Sequence, residues 1–258
     1  MANGDDPTAA PRDPPVARRR RAKPAADATA HAVVATPPAA PDKPPGVRAL
    51  AAQATREAIL GAATRVFAKQ GFAGGRIEQI SKAARSNDRM IYYYFGSKEA
   101  LFVAVLEDTY RRFNEAESAL VLDTRRPEAA LTAVIRFVWL YYQQHPEFIT
   151  LLNTENLLRG RHIATSPQVR AYSSPVLAIT DKVLRSGAAL GVFRADLSAR
   201  DVYLMIAALA YFYLGNRYTL SSFLGEDLQA AGALAHWEAF VIDAVQRAVR
   251  ADAGSLPA

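Results

Sequence analysis

The chain has no cysteine, which excludes disulfides and thiolate metal sites. Its four histidines, His31, His145, His162 and His236, are scattered without ligand spacing. They read as satisfied or exposed imidazoles, so neither a metal nor another cofactor is expected. There is no nucleophile elbow, no phosphate-binding glycine loop and no metal constellation. Pairs such as Glu226 and Asp227 read as a helix start, and no catalytic residue is assigned. Strand-type alternation of useful length is missing throughout. The most apolar run, VYLMIAALAYFYL at 202–214, is thirteen residues long, too short to cross a bilayer. The N-terminus also lacks an apolar signal core, so a cytoplasmic chain with no membrane partner is expected. Proline is scarce beyond residue 48, where only 5 of the 15 occur, and long uninterrupted helices are therefore possible there.

The other ten prolines lie in residues 1–48, with many alanines and few large apolar side chains. Such a segment cannot bury enough surface to offset ordering entropy and is expected to be disordered, as is 252–258. Arg18, Arg19, Arg20, Arg21 and Lys23 form a basic cluster in this tail. The formal charge of +6 is unevenly spread: residues 1–50 carry +3, residues 51–100 carry +4 and the remainder −1. A positive N-terminal end on a near-neutral body suits a polyanionic partner.

Residues 76–98, RIEQISKAARSNDRMIYYYFGSK, hold the most informative pattern. Ile77, Ile80 and Ala84 fall on one face of a short helix. After a break at Arg85 and Ser86, Asn87 can cap a second helix, with Asp88 in the first turn where a carboxylate suits the positive end. Ile91 returns to the core, which leaves Arg89, Met90, Tyr92 and Tyr93 projecting, with Asp88 and Tyr94 beside them. A short helix presenting arginine and tyrosine fits a major groove, where Arg reaches guanine edges and Tyr bonds phosphate oxygens. Gly96 and Ser97 stop it and cap the next helix. Lys98 at that helix start is the wrong charge for the dipole and is better explained by a phosphate. Ahead of this pair, Ile59, Leu60, Ala63, Val66 and Phe67 make a first helix over about 51–70, closed by Gly71. The spacing thus predicts a three-helix, helix-turn-helix DNA-binding domain at 51–97.

The rest, 98–251, reads as a helical body, making the fold class all-α. Helices are expected over about 97–122, from Pro127, over 146–158, from Pro167 with a break at Pro175 and on to 190, over 198–218 and over 226–250. The stretch 202–214 is apolar on all sides and must be covered by protein all round. Burial by the domain on one side and a second copy on the other predicts a homodimer through the helices at about 198–218 and 226–250.

At 51–106 the chain resembles the tetracycline-repressor (TetR) family of bacterial transcriptional regulators, through AKQGF at the end of the first helix, Ile80, and IYYYFGSKEALF across the third and fourth. The resemblance implies a DNA-binding domain followed by a ligand-binding and dimerisation domain. It implies repression from a palindromic double-stranded operator, released by a small organic effector. A ligand-independent, architectural DNA-binding protein is the alternative. By position, the DNA-contacting set is Arg76, Arg85, Ser86, Asn87, Asp88, Arg89, Met90, Tyr92, Tyr93, Tyr94 and Lys98. The chain departs from the family pattern in having Arg85 where the turn glycine is usual, Ser86 where an apolar residue is usual, and Gly75 and Arg76 where threonines are common. For the effector pocket the body offers Trp139, Tyr142, Asn153, Asn156 and Tyr213, aromatic walls with a few polar groups. Glu155, Arg159, His162, Tyr172 and Asn216 are further candidates.

Overall fold

The computed structural model describes residues 46–171 and 175–251, so the basic cluster at 18–23, the candidate Tyr172 and the segment 252–258 lie outside the described residues. Among those residues the structure is ten α-helices and one 3₁₀ turn, with a single isolated bridge between Phe193 and Arg250.

The head is built from α1 (Val47–Gly74), α2 (Ile77–Ala83) and α3 (Asp88–Phe95). α1 begins before residue 51, because helix-forming residues run unbroken from Val47 once the prolines end. Gly71 has φ +69 and interrupts the helix where the sequence places its end, and one more turn follows at 72–74. Gly75 answers to packing: a Cβ there would lie 2.6 Å from Cδ1 of Phe67. Ile59, Phe67, Ile80 and Ile91 are fully buried in the head's core.

α4 (Lys98–Ser118) belongs to both halves. Leu101, Phe102, Val105 and Leu106 close the head's core, while Phe113 lies in the body's core. The helix stops at Ser118, short of the expected 122. Asn87 caps α3 by accepting from the Met90 N–H at 3.1 Å, and Ser97 caps α4 by accepting from the Ala100 N–H at 3.0 Å.

The body continues with α5 (Pro127–Gln144) and α6 (Pro146–Leu157), each with proline in its first turn where the missing N–H is harmless. A 3₁₀ turn (Ile163–Thr165), α7 (Pro167–Ala171) and α8 (Pro175–Ala189) follow. α9 (Ala199–Leu224) and α10 (Ala231–Val249) complete the bundle. α5 is the central helix, packed against α8, α9 and α10.

Two boundaries differ from the sequence reading. α9 runs past Tyr218 to Leu224, because nothing breaks it before Gly225, which takes the left-handed conformation at φ 70. Glu226 and Asp227 do not open the last helix, and α10 starts only at Ala231. The intervening residues form a turn, in which Asp227 accepts from the Gln229 N–H, that buries Leu228 under the hydroxyl of Tyr213.

Candidate nucleic-acid interface and effector cavity

α2, the turn and α3 are joined by specific contacts. At the end of α2, Arg85 N–H donates to the Lys82 carbonyl and Ser86 N–H to the Ser81 carbonyl, the paired bonds of a Schellman motif. That motif needs a left-handed residue at position 85, and Arg85 adopts φ 52. A side chain in this conformation costs about 1 kcal/mol relative to glycine. Across the turn the Ser81 hydroxyl donates to the carboxylate of Asp88. At the other end of α2, the Arg76 N–H donates to Gln79 Oε1 at 3.3 Å, while its side chain remains exposed.

With about 100° of rotation per residue, Ile91 in the core places Arg89 and Tyr93 on the opposite side of α3 and Tyr92 on one flank. Arg89 is exposed, as are Tyr92 (51%) and Tyr93 (76%). The same rotation brings Met90 and Tyr94 back toward the head: both are half-buried against its core, and Tyr94 meets the edge of Tyr93 with ring centroids 5.0 Å apart. The outward surface of α3 is therefore narrower than the sequence reading makes it. Arg85 and Asn87 are exposed beside it, and Ser86 is half-buried.

Lys98 has internal partners as well. Its Nζ lies 4.8 Å from the centroid of the Phe72 ring and 3.5 Å from the Ala73 carbonyl. A cation on an aromatic face explains a lysine at a helix start as readily as a phosphate does. Next to it, the carboxyl of Glu99 is held below the usual carboxylate range by backbone hydrogen bonding at the helix start and by the Ser97 hydroxyl.

The five pocket candidates do not line one cavity. Asn156 faces a space of about 120 Å³ between α4 and α6 that it shares with Leu106, Tyr110, Leu152 and Glu155. Asn153, on the same helix, accepts from the hydroxyl of Tyr211 on α9. Tyr142 is buried against Phe148, with rings stacked at 5.5 Å, and the hydroxyl of Tyr203 lies beside its own. Trp139 is fully buried, and its indole N–H has no acceptor among the described residues. Tyr213, stacked on Trp237 at 4.9 Å, instead lines an apolar groove of about 540 Å³ between α9 and α10. Arg159 and Asn216 are exposed, whereas Glu155 and His162 are buried against each other.

Several polar residues of the body escape the sequence reading. Tyr110, Tyr203 and Tyr211 surround the α4–α6–α9 junction, and Glu117 is fully buried near Tyr142 and Tyr203. Burial raises the phenol of Tyr141 to about 12, and raises those of Tyr142 and Tyr203 as well. A signal for Glu117 exists in the sequence. It continues the stripe of Leu106, Tyr110 and Phe113 at spacings of three and four, so an acidic side chain there must enter the bundle.

Comparison with known proteins gives a consistent picture. The family model described as bacterial regulatory proteins, tetR family, matches residues 59–105, and that described as tetracyclin repressor-like, C-terminal domain, matches residues 127–245. The HTH-type transcriptional repressor NicS of Pseudomonas putida is 53% identical over 205 residues, covering 80% of this chain and 97% of NicS. An HTH-type transcriptional repressor of Streptomyces coelicolor is 30% identical over 160 residues, 61% of this chain and 77% of that one. Among solved structures, a transcriptional-regulator fold from Streptomyces coelicolor superposes with a TM-score of 0.56 at 24% identity, covering 76% of this chain and 98% of that one.

Proposed function

This chain belongs to the tetracycline-repressor family of bacterial transcriptional regulators, and we propose from that premise that it is a homodimeric repressor released from its operator by a small organic effector. It is a DNA-binding transcriptional regulator of all-α fold. The observation that carries the operator-reading role is the geometry of α3. Ile91 is fully buried, and Arg89, Tyr92 and Tyr93 stand on the exposed side. Arg89 is the residue for a guanine edge, and the tyrosines and Arg76 are suited to phosphates. Arg85 and Asn87 flank this surface. Asp88, Met90 and Tyr94 support it from inside, and Lys98 reaches a phosphate only by leaving Phe72.

The division of labour falls at about residue 97, with α4 shared between the two halves. A single head covers one half-site, so an inverted repeat needs two copies. α9 supplies the contact surface: Leu204, Ala208 and Phe212, four residues apart, are all exposed, and Phe240 of α10 is exposed as well. An apolar row of this kind on a bundle is what a second copy covers. We place the effector among the tyrosines and asparagines where α4, α6 and α9 meet. The action belongs in the cytoplasm with the DNA, and among the described residues no helix is long and apolar enough to cross a membrane.

Selection of duplexes from a random library by the full chain, followed by footprinting, tests the reading. A discrete inverted repeat is expected. Uniform, salt-sensitive protection without a selected site is the result that would overturn it in favour of an architectural role.

A further inference from the structure

Glu155 and His162 are in contact with both side chains buried, 5% and 6% exposed. Ion pairs such as Arg111 with Asp108, Arg136 with Glu238 and Arg247 with Asp243 instead leave at least one partner substantially in solvent. Glu155 Oε1 accepts from the backbone N–H groups of His162 at 2.7 Å and Ile163 at 3.0 Å, and its Oε2 lies 2.8 Å from His162 Nδ1. The carboxylate needs a donor, which puts the proton on Nδ1 and leaves Nε2 to face Arg161 Nε at 3.4 Å.

The imidazole reaches the head. Its centroid is 4.7 Å from that of Phe72, in the last turn of α1, and 5.0 Å from that of Phe102, in the first turns of α4. The face of the Phe72 ring carries Lys98 Nζ, 4.8 Å from its centroid. A line of contacts therefore runs from α6 through Glu155 and His162 to the helices that hold the DNA reader.

Head and body also share apolar contacts, since Leu151 and Ile163 pack into the head's core. Apolar burial is non-directional and tolerates sliding, whereas three bonds from residues 162 and 163 to one carboxylate fix the imidazole that Phe72 and Phe102 rest against in one orientation on α6. On its other side Glu155 lines the cavity of about 120 Å³ together with Asn156 and Tyr110. A molecule entering there bears on the carboxylate that orients His162.

We propose that the Glu155–His162 pair is the latch that fixes the head at one angle on the body, and that displacing Glu155 from its three donors frees the head. The idea rests on the reading of the chain as a DNA-binding regulator. Both are positioning residues, acting through Phe72 and Phe102 without touching DNA.

The absence of cysteine allows clean thiol labelling. Spin labels on cysteines replacing the exposed Glu78 of α2 and Arg185 of α8, in labelled full chains diluted with unlabelled ones, report the intrachain head-to-body distance. The otherwise native sequence is expected to give one narrow distribution. Glu155→Gln and His162→Phe are each expected to broaden it at unchanged helix content. Each should also weaken binding to a duplex selected by the native chain about fivefold or more. The double variant should fall no further than the weaker single, because both changes remove one contact.

Narrow distributions in both single variants, or losses that add in the double variant, would overturn the latch. Should His162→Phe lose helix content, the isosteric Glu155→Gln variant decides alone. If the native chain selects no duplex, the functional reading fails, while the distance distributions still decide the latch.

Discussion

The Ser81 hydroxyl near the end of α2 donates to the Asp88 carboxylate at the start of α3, across a turn that holds Arg85 at φ 52. One hydrogen bond and one strained residue thus set the angle between α2 and α3. Asp88 works inward, which separates it from the exposed Arg89 next to it.

Replacing Ser81 with alanine removes the donor and leaves a half-buried carboxylate short of a partner. A loss of about 1–2 kcal/mol of stability is expected from a charge-assisted bond in this setting. Affinity should weaken alike for all DNA sequences, since the reader is misplaced but its base contacts are unchanged. Thermal unfolding with binding to the selected duplex and to scrambled duplexes checks this. A change in base preference would contradict it.

At Arg85, glycine should relieve the left-handed strain. Arg85→Gly is expected to gain up to about 0.5 kcal/mol, the strain removed less the extra chain entropy of glycine. If the guanidinium also meets DNA, the melting temperature rises while affinity falls. Opposite movement of these two measurements distinguishes a functional arginine from a merely tolerated one.

Arg89 and Lys98 should behave differently. Arg89→Ala is expected to relax preference at one operator position by about 1–3 kcal/mol. Lys98→Ala should weaken all duplexes equally and reduce the salt dependence, with a small stability loss from the vacated face of Phe72. Binding titrations over single-base operator variants at several salt concentrations test both. Identical profiles for the two variants would sink the assignment of roles.

The exposed row on α9 makes a prediction about assembly. Charges introduced by Leu204→Glu with Phe240→Glu should halve the sedimenting mass at unchanged helix content. Each large apolar side chain withdrawn from an interface forfeits about 1.5–3 kcal/mol. Affinity for a full inverted repeat should then fall to that for a half-site. A dimeric double variant would place the contact elsewhere.

Alkaline pH should unfold the body through its tyrosines. Burial raises Tyr141 to about 12 and pushes Tyr142 and Tyr203 up too. Their folded values exceed the unfolded value near 10, so the unfolded state loses protons first and stability declines as pH rises from there toward the folded values. Below that window the contribution is fully present. Phenolate absorbance followed with helix content should show exposed tyrosines ionising first and a late step coincident with unfolding. Tyr203→Phe should move the late step to higher pH.

The three head helices were legible because periodicity and caps are local. Ile77 with Ile80, Asn87, Ile91 and Ser97 each act within one turn of their own helix, and the observed α2 and α3 follow them closely. The length of α9 was less legible, since the apolar stretch at 202–214 marks what must be buried and Gly225, further on, marks where the helix can stop. The effector candidates were the least legible. Trp139, Asn156 and Tyr213 share a composition suited to a pocket, yet they face a sealed core, a small cavity of mixed lining and an apolar groove.

Local patterns alone carried the all-helical class, the helix-turn-helix with its unusual turn at Arg85 and the basic N-terminal end, because hydrophobic period, capping and charge are short-range properties of the chain. It took the assembled fold to show that Lys98 rests on Phe72, that Glu155 and His162 are buried against each other, and that the His162 ring meets Phe72 and Phe102 of the head. Each of these depends on which distant helix arrives opposite, a matter of packing between elements that no local pattern records.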